Sequence, residues 1–221
     1  MPLNTTATPI DLATWSRRDY FYYFTKMMPT GFTVNVDLDI TATKTWLREH
    51  DYKFNPAYLF LVSKVLTKFP EFRIGRENEQ LVRYDVLHPS YSIFHADDHT
   101  ISNLWTAYDP SFTTFYQNYL DDVKIYGRQH TPAPKQPQSA NLYMIGSIPW
   151  TNFTSYVPLP FTPLQTFFPV IQAGKFTEHN GKWTMPLSVT IHHAVADGYH
   201  VSQLLAMIQT VFNEPEAWLG E

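Results

Sequence analysis

Ser188-Val-Thr-Ile-His-His-Ala-Val-Ala-Asp-Gly-Tyr-His200 decides how the chain is read, because an apolar strand delivers two adjacent histidines into a short turn that closes on Asp197-Gly198 and opens a helix. Side chains alternate across a strand, so His192 and His193 point to opposite faces and cannot both enter one site. Gly198 suits a tight strand-to-helix turn, and Asp197 suits a helix cap or a cation partner. Two readings stand on these letters alone. Either one histidine works in a site, or both are core residues satisfied by hydrogen bonds and Asp197 is only a cap.

Working outward, Val201, Leu204, Leu205, Ile208, Val211 and Phe212 repeat on one stripe and predict a helix from about Tyr199. Gly31 to Ile40 alternates Phe32, Val34, Val36, Leu38 and Ile40 with polar residues, the two-residue period of a half-buried strand. Thr14 to Met27, with Trp15, Tyr20, Tyr23, Phe24 and Met27, predicts an amphipathic helix ended by Pro29 and Gly31. Asn55 to Phe69 opens with Asn-Pro and predicts a buried helix with Pro56 at its first position.

Short β-rich runs fill Phe72 to Trp105, and Asp109-Pro110 starts a helix to about Tyr126. Further strands are expected over Asn141 to Ile148, Thr151 to Tyr156, Phe167 to Phe176 and Trp183 to His193. The proline-rich stretch Arg128 to Ser139 reads as a surface loop, because the β pattern resumes after it. The expected fold is α/β, two layers, with a multi-stranded mostly antiparallel or mixed sheet packed with helices, and residues 1–221 as one domain.

Hydrophobic residues make up 44% and charged residues 16% of the 221, a globular rather than a disordered composition. A net charge of −4 without a basic run argues against nucleic acid or anionic lipid as a partner. No cysteine is present, which excludes thiolate nucleophiles, disulfides and Cys-ligated zinc, and no metal-ligand set is singled out. The first residues lack a basic and apolar leader and no run approaches a membrane span, so a cytoplasmic location is expected.

His193-Ala-Val-Ala-Asp197-Gly198 resembles the His-x-x-x-Asp-Gly signature of chloramphenicol acetyltransferases and of dihydrolipoamide acyltransferase cores. The rest of the chain is similar to the first. Trp15-Ser-Arg17-Arg18 followed by aromatics, Pro29-Thr-Gly31-Phe32, Tyr52-Lys53-Phe54-Asn-Pro56, Phe94-His95, Pro149-Trp150-Thr-Asn-Phe153 and Met185-Pro186-Leu187 carry the resemblance over nearly the whole length. It implies the CoA-dependent acyltransferase fold, acetyl-CoA as co-substrate with no permanently bound cofactor, and a homotrimer with sites at subunit interfaces. It also implies His193 as general base, oriented while Asp197 pairs with Arg17. A hydroxyl is a weak nucleophile at neutral pH, and an imidazole within hydrogen-bond reach can take its proton as it attacks a thioester. Without the resemblance, Arg17 would read as a solvated helix-face charge.

The departures from the family pattern are specific. Its oxyanion serine falls at Gly146 here, and Ser147 is one residue late, which on a strand without a bulge turns it to the other face. A threonine that helps order the transition state is replaced by Gln172, whose amide could donate instead. Acceptor-lining residues read as Ile101 and Asn103, and a Leu-x-Val pair as Pro158 and Pro160, while Ala196 replaces the cysteine before the motif aspartate. Tyr23, Phe24, Met28, Phe32 and Trp150 remain as candidate lining, or as simple core. Three functions stay open: an O-acetyltransferase acting on chloramphenicol or a related alcohol, a retargeted or non-catalytic trimer, and a lipoamide-linked acyltransferase core.

Overall fold

Alternating apolar residues on the longest strand set the architecture. In the computed structural model, which describes residues 6–159 and 167–220, β10 (Lys182–His192) turns Met185, Leu187, Val189 and Ile191 to one face, all buried. Its neighbours are β2 (Gly31–Asp39) and β8 (Val170–Gly174), both antiparallel to it. Beyond β8 come β7 (Leu142–Ile148), β5 (His88–His95) and β6 (Thr100–Trp105), with the β8–β7 and β7–β5 pairs parallel and β5–β6 antiparallel. The short β9 (Thr177–His179) pairs with the start of β10 and completes a seven-stranded mixed sheet.

The apolar face is covered by α2 (Thr41–Glu49), α3 (Phe54–Leu66), α4 (Phe112–Tyr126) and α5 (Gly198–Asn213). The α5 stripe of Val201, Leu204, Leu205, Ile208, Val211 and Phe212 is buried as its periodicity requires, each side chain contributing about 1.5–3 kcal/mol of burial. α3 is apolar nearly all round because it lies between the sheet and α4 and α5.

The structure corrects several sequence expectations. The first helix, α1, is only Arg18–Tyr22, and it continues as a π turn over Tyr23–Met27, with Trp15 in the turn before it. α3 starts at Phe54 with Lys53 at its N-cap, so Pro56 sits at the third helical position rather than the first. Thr151 to Tyr156 is not a strand. Its backbone is satisfied by the polar face of the sheet instead: the Tyr156 N–H donates to Asn35 Oδ1 (3.0 Å) and its carbonyl accepts from Ser188 Oγ (2.7 Å).

The β-rich run after Phe72 also divides. β1 (Ala7–Pro9), β3 (Ile74–Glu77) and β4 (Gln80–Tyr84) form a separate three-stranded sheet, while β5 and β6 join the large one. α2, β1 and the terminal α6 (Pro215–Leu219) had no counterpart in the sequence reading. Of the proline pair, Pro158 is exposed and Pro160 lies outside the described residues.

Candidate active site

Beyond His192 the chain leaves β10, and the turn His193–Asp197 is built around a single cation. Arg17 reaches it from the turn before α1. Its NH1 donates to Asp197 Oδ2 (2.7 Å) and its NH2 to Asp197 Oδ1 (3.0 Å), a two-pronged pairing that only a guanidinium makes. NH2 also donates to the His193 carbonyl (3.2 Å), and Nε to the Ala194 carbonyl (3.4 Å). One side chain thus fixes both the carboxylate and the backbone that carries the imidazole. The Arg17 side chain is 13% exposed and that of Asp197 39%, so the pair is half-buried rather than a solvated surface charge.

Asp197 is the N-cap residue of α5, and its own N–H donates to His200 Nδ1 (3.1 Å), one half of a capping box. The hydrogen bonds from Arg17 hold the Asp197 carboxyl below the usual carboxylate range, against the opposing effect of burial. Gly198 has an ordinary backbone, and a Cβ there would meet nothing within 4 Å, so within one chain neither strain nor crowding demands the glycine.

The two histidines diverge as the alternation requires. His192 lies edge-on to Phe167 (5.2 Å), its Nδ1 accepts from the Ala194 N–H (3.1 Å), and burial lowers its pKa, which keeps the ring neutral. His193 lies flat against Phe24 (3.9 Å between ring centres) with Phe32 tilted beside it (4.9 Å). Its Nδ1 is 3.2 Å from Asp197 Oδ1, yet the ring is angled outside hydrogen-bond geometry and this buried nitrogen has no partner among the described residues.

Tyr23 packs edge-on to Phe24 (5.0 Å) and its hydroxyl donates to the sulfur of Met28 (3.7 Å). His193, Asp197, Arg17, Tyr23, Phe24, Met28 and Phe32 therefore form one cluster.

The remaining sequence candidates form a second cluster elsewhere. The β7–β8 register runs without a bulge and sets Gly146 opposite Gln172 and Ser147 opposite Ala173. Ser147 consequently faces the helix side and lines a cavity of about 320 Å³ with Phe54, Tyr58, Phe94, Pro149 and Phe176. A Cβ at Gly146 would meet the Gln172 amide at 3.0 and 3.4 Å, so a side chain at 146 would require the Gln172 amide to give by a few tenths of an ångström. With its amide oxygen turned to accept from the Ser147 and Ile148 N–H groups (3.0 and 3.2 Å), the Gln172 NH₂ is left as a donor over Gly146. Trp150 packs edge-on to Phe94 (4.8 Å), Phe94 is paired across strands with Ile101, and Asn103 accepts from Ser92 Oγ (3.3 Å).

Gln172 is level with Ser188 on β10, and His193 is five residues farther along, about 16 Å of extended chain. Within one chain the imidazole and the Gly146–Gln172 pair do not meet. Neither of two clefts among the described residues, of about 800 and 620 Å³, is lined by His193, whose side chain is 30% exposed. What sequence reasoning missed here is the direct packing of Gln172 on Gly146, since a register between two strands cannot be read from either alone.

A family model described as chloramphenicol acetyltransferase matches residues 5–209. A chloramphenicol acetyltransferase of Clostridium perfringens is 32% identical over 213 residues, 96% of this chain and 97% of that protein. Among solved structures, a chloramphenicol acetyltransferase superposes with a TM-score of 0.84 at 21% identity, covering 94% of this chain and 100% of the other. The dihydrolipoamide acetyltransferase of Azotobacter vinelandii superposes with a TM-score of 0.65 at 14% identity over 86% of this chain and 84% of its own.

Proposed function

Because the chain belongs to the chloramphenicol acetyltransferase family, we propose that it moves the acetyl group of acetyl-CoA to a hydroxyl of chloramphenicol or a related small alcohol, with His193 as general base. The observation that carries this reading is the Arg17–Asp197 clamp, which fixes the His193 turn at three points and leaves the Nε2 side of the ring uncommitted. Nε2 takes the acceptor proton while the freed oxygen attacks the thioester carbonyl. The tetrahedral oxyanion then collapses, the C–S bond breaks, and the imidazolium proton neutralises the departing CoA thiolate.

The two separated clusters support a site shared between copies of the chain. His193 of one subunit, with Tyr23, Phe24, Met28 and Phe32, would face the Gly146–Gln172 pair, Ile101, Asn103 and Trp150 of another in a homotrimer. Exposed Tyr20, Tyr22, Met27 and Tyr199, on the elements that flank the histidine turn in sequence or pack against it, and exposed Ile101, Met144 and Trp150, on or next to the strands of the second cluster, are apolar surface that such contacts would cover. No helix among the described residues is long and apolar enough to cross a membrane.

Transfer to a hydroxyl and transfer to a thiol leave different balances, and this tests the acceptor class. With chloramphenicol, each acetyl-CoA consumed should release one titratable thiol. With dihydrolipoamide the total thiol count should stay constant as CoA is freed, because one thiol is capped for each one released. Turnover of acetyl-CoA with dihydrolipoamide exceeding that with every hydroxyl compound would replace the proposed reading by the lipoamide one.

In this reading Gln172 supplies the oxyanion donor that a serine at 146 supplies in the family pattern. Gln172→Ala should lower kcat by about 100-fold with little change in KM, the effect of removing one such donor. Gly146→Ser alone should lower turnover as well, because its hydroxymethyl group shifts the Gln172 amide from its place. Steady-state kinetics on both variants check this. A higher kcat in Gly146→Ser would mean that Gln172 does not fill the role.

A further inference from the structure

We infer that Asp97, Asp98 and His130, a cluster the proposed reaction does not use, form a binding site for a divalent first-row transition-metal ion of the zinc type. Asp97 and Asp98 lie in the β5–β6 turn, and His130 lies in the proline-rich loop that follows α4. One ligand atom from each falls within 4.8 Å of the others. His130 Nε2 is 3.6 Å from Asp97 Oδ2, and Nδ1 is 2.7 Å from Asp98 Oδ2.

These spacings suit replacement of a proton by an ion. Metal bonds of about 2.0–2.2 Å place tetrahedral ligands about 3.4 Å apart. An ion takes one ring nitrogen: the Nδ1–Asp98 contact is the spacing of a shared proton and opens slightly when an ion takes its place, while Asp97, which faces Nε2, has to move round to that ion. An imidazole nitrogen with two carboxylate oxygens suits zinc, cobalt or nickel, whereas magnesium and calcium prefer oxygen alone. Among the described residues, His130 is the sole ion-pair partner of either carboxylate, so two negative charges face one imidazole and a divalent ion completes their neutralisation.

Two of the three ligands are oriented by groups outside the cluster. The His130 ring stacks at 4.0 Å on buried His95, which is itself held by Ser102 Oγ at 2.9 Å. Asp98 Oδ1 accepts from the N–H and the hydroxyl of Thr100 (3.0 and 2.8 Å). Only Asp97, 73% exposed, has to swing inward. The ion would fasten the β5–β6 hairpin to the loop at a point where Asn103 N–H already donates to the Pro132 carbonyl (2.9 Å) and Ser102 Oγ to the Gln129 carbonyl (2.8 Å). That hairpin also carries Ile101 and Asn103, so the ion acts as a structural clamp behind them.

The test is calorimetric titration of the full, chelator-treated chain with Zn²⁺ and, in parallel, Mg²⁺, with Co²⁺ absorption as a report of nitrogen and oxygen ligation. One Zn²⁺ should bind per chain and raise the melting temperature, while Mg²⁺ should not compete. His130→Gln and Asp97→Asn should each weaken Zn²⁺ at least about tenfold. The exposed Asp97→Asn keeps the test valid should His130→Gln disturb the packing on His95. The proposal is overturned by absence of Zn²⁺ binding, by affinity retained in either variant, or by Mg²⁺ displacing Zn²⁺, which would mark a mere acidic turn.

Discussion

His193→Ala is expected to lower kcat for acetyl transfer by about 10²- to 10⁴-fold, the usual contribution of a positioned base. The fold should hardly notice. His193 is partly exposed, its Nδ1 makes no hydrogen bond among the described residues, and the loss is confined to its ring contacts with Phe24 and Phe32. The melting temperature should therefore remain close to that of the wild type, and rate and melting measured on one preparation separate chemistry from folding. Turnover comparable with the wild type would remove His193 from the mechanism.

Arg17→Ala should behave in the opposite way, losing stability and activity together. It deletes four hydrogen bonds and leaves Asp197 beside two released carbonyls. A fully buried pair broken on one side costs about 3–5 kcal/mol and an exposed one about 0–1. At 39% exposure Asp197 keeps some water, so a cost of about 2–3 kcal/mol is expected, or roughly 5–10 °C in a chain of this size. Arg17 positions rather than reacts, so kcat should fall with KM little changed, and Arg17→Lys should recover only part of each loss because an ammonium cannot make the two-pronged contact.

The acid limb of stability gives a second readout of the same pair. Arg17 holds the Asp197 carboxyl below its usual range, so the pair's stabilisation is complete above the unfolded value near ~3.9 and is lost as pH falls through the folded value. Arg17→Ala should flatten that limb. Unchanged melting across the acid range would show the pair to be a surface contact.

Wherever burial is one-sided, the sequence was a faithful guide. β2 and α5 each present one apolar face to the core, and their periods gave the elements to within a residue or two. The reading weakened where the backbone finds partners other than a neighbouring strand or the next helical turn. Thr151 to Tyr156 has strand-like letters, yet it bonds to Asn35 and Ser188 side chains. The aromatic run after Trp15 yields a short helix and a π turn instead of one long helix, and no simple period describes that combination.

The candidate site was half legible. The spacing of His193 and Asp197 fixes their proximity, and Arg17 could be joined to them only through the resemblance, being 180 residues away along the chain. The place of Gln172 over Gly146 needed the β7–β8 register, and the two-cluster division needed the whole sheet.

The most direct test of the account is the product formed when wild-type protein is given acetyl-CoA and chloramphenicol, measured as acetyl ester by mass against thiol released. The account predicts one ester for each thiol freed, with both lost together in His193→Ala. Thiol release without ester, or neither product above the uncatalysed background, would contradict it.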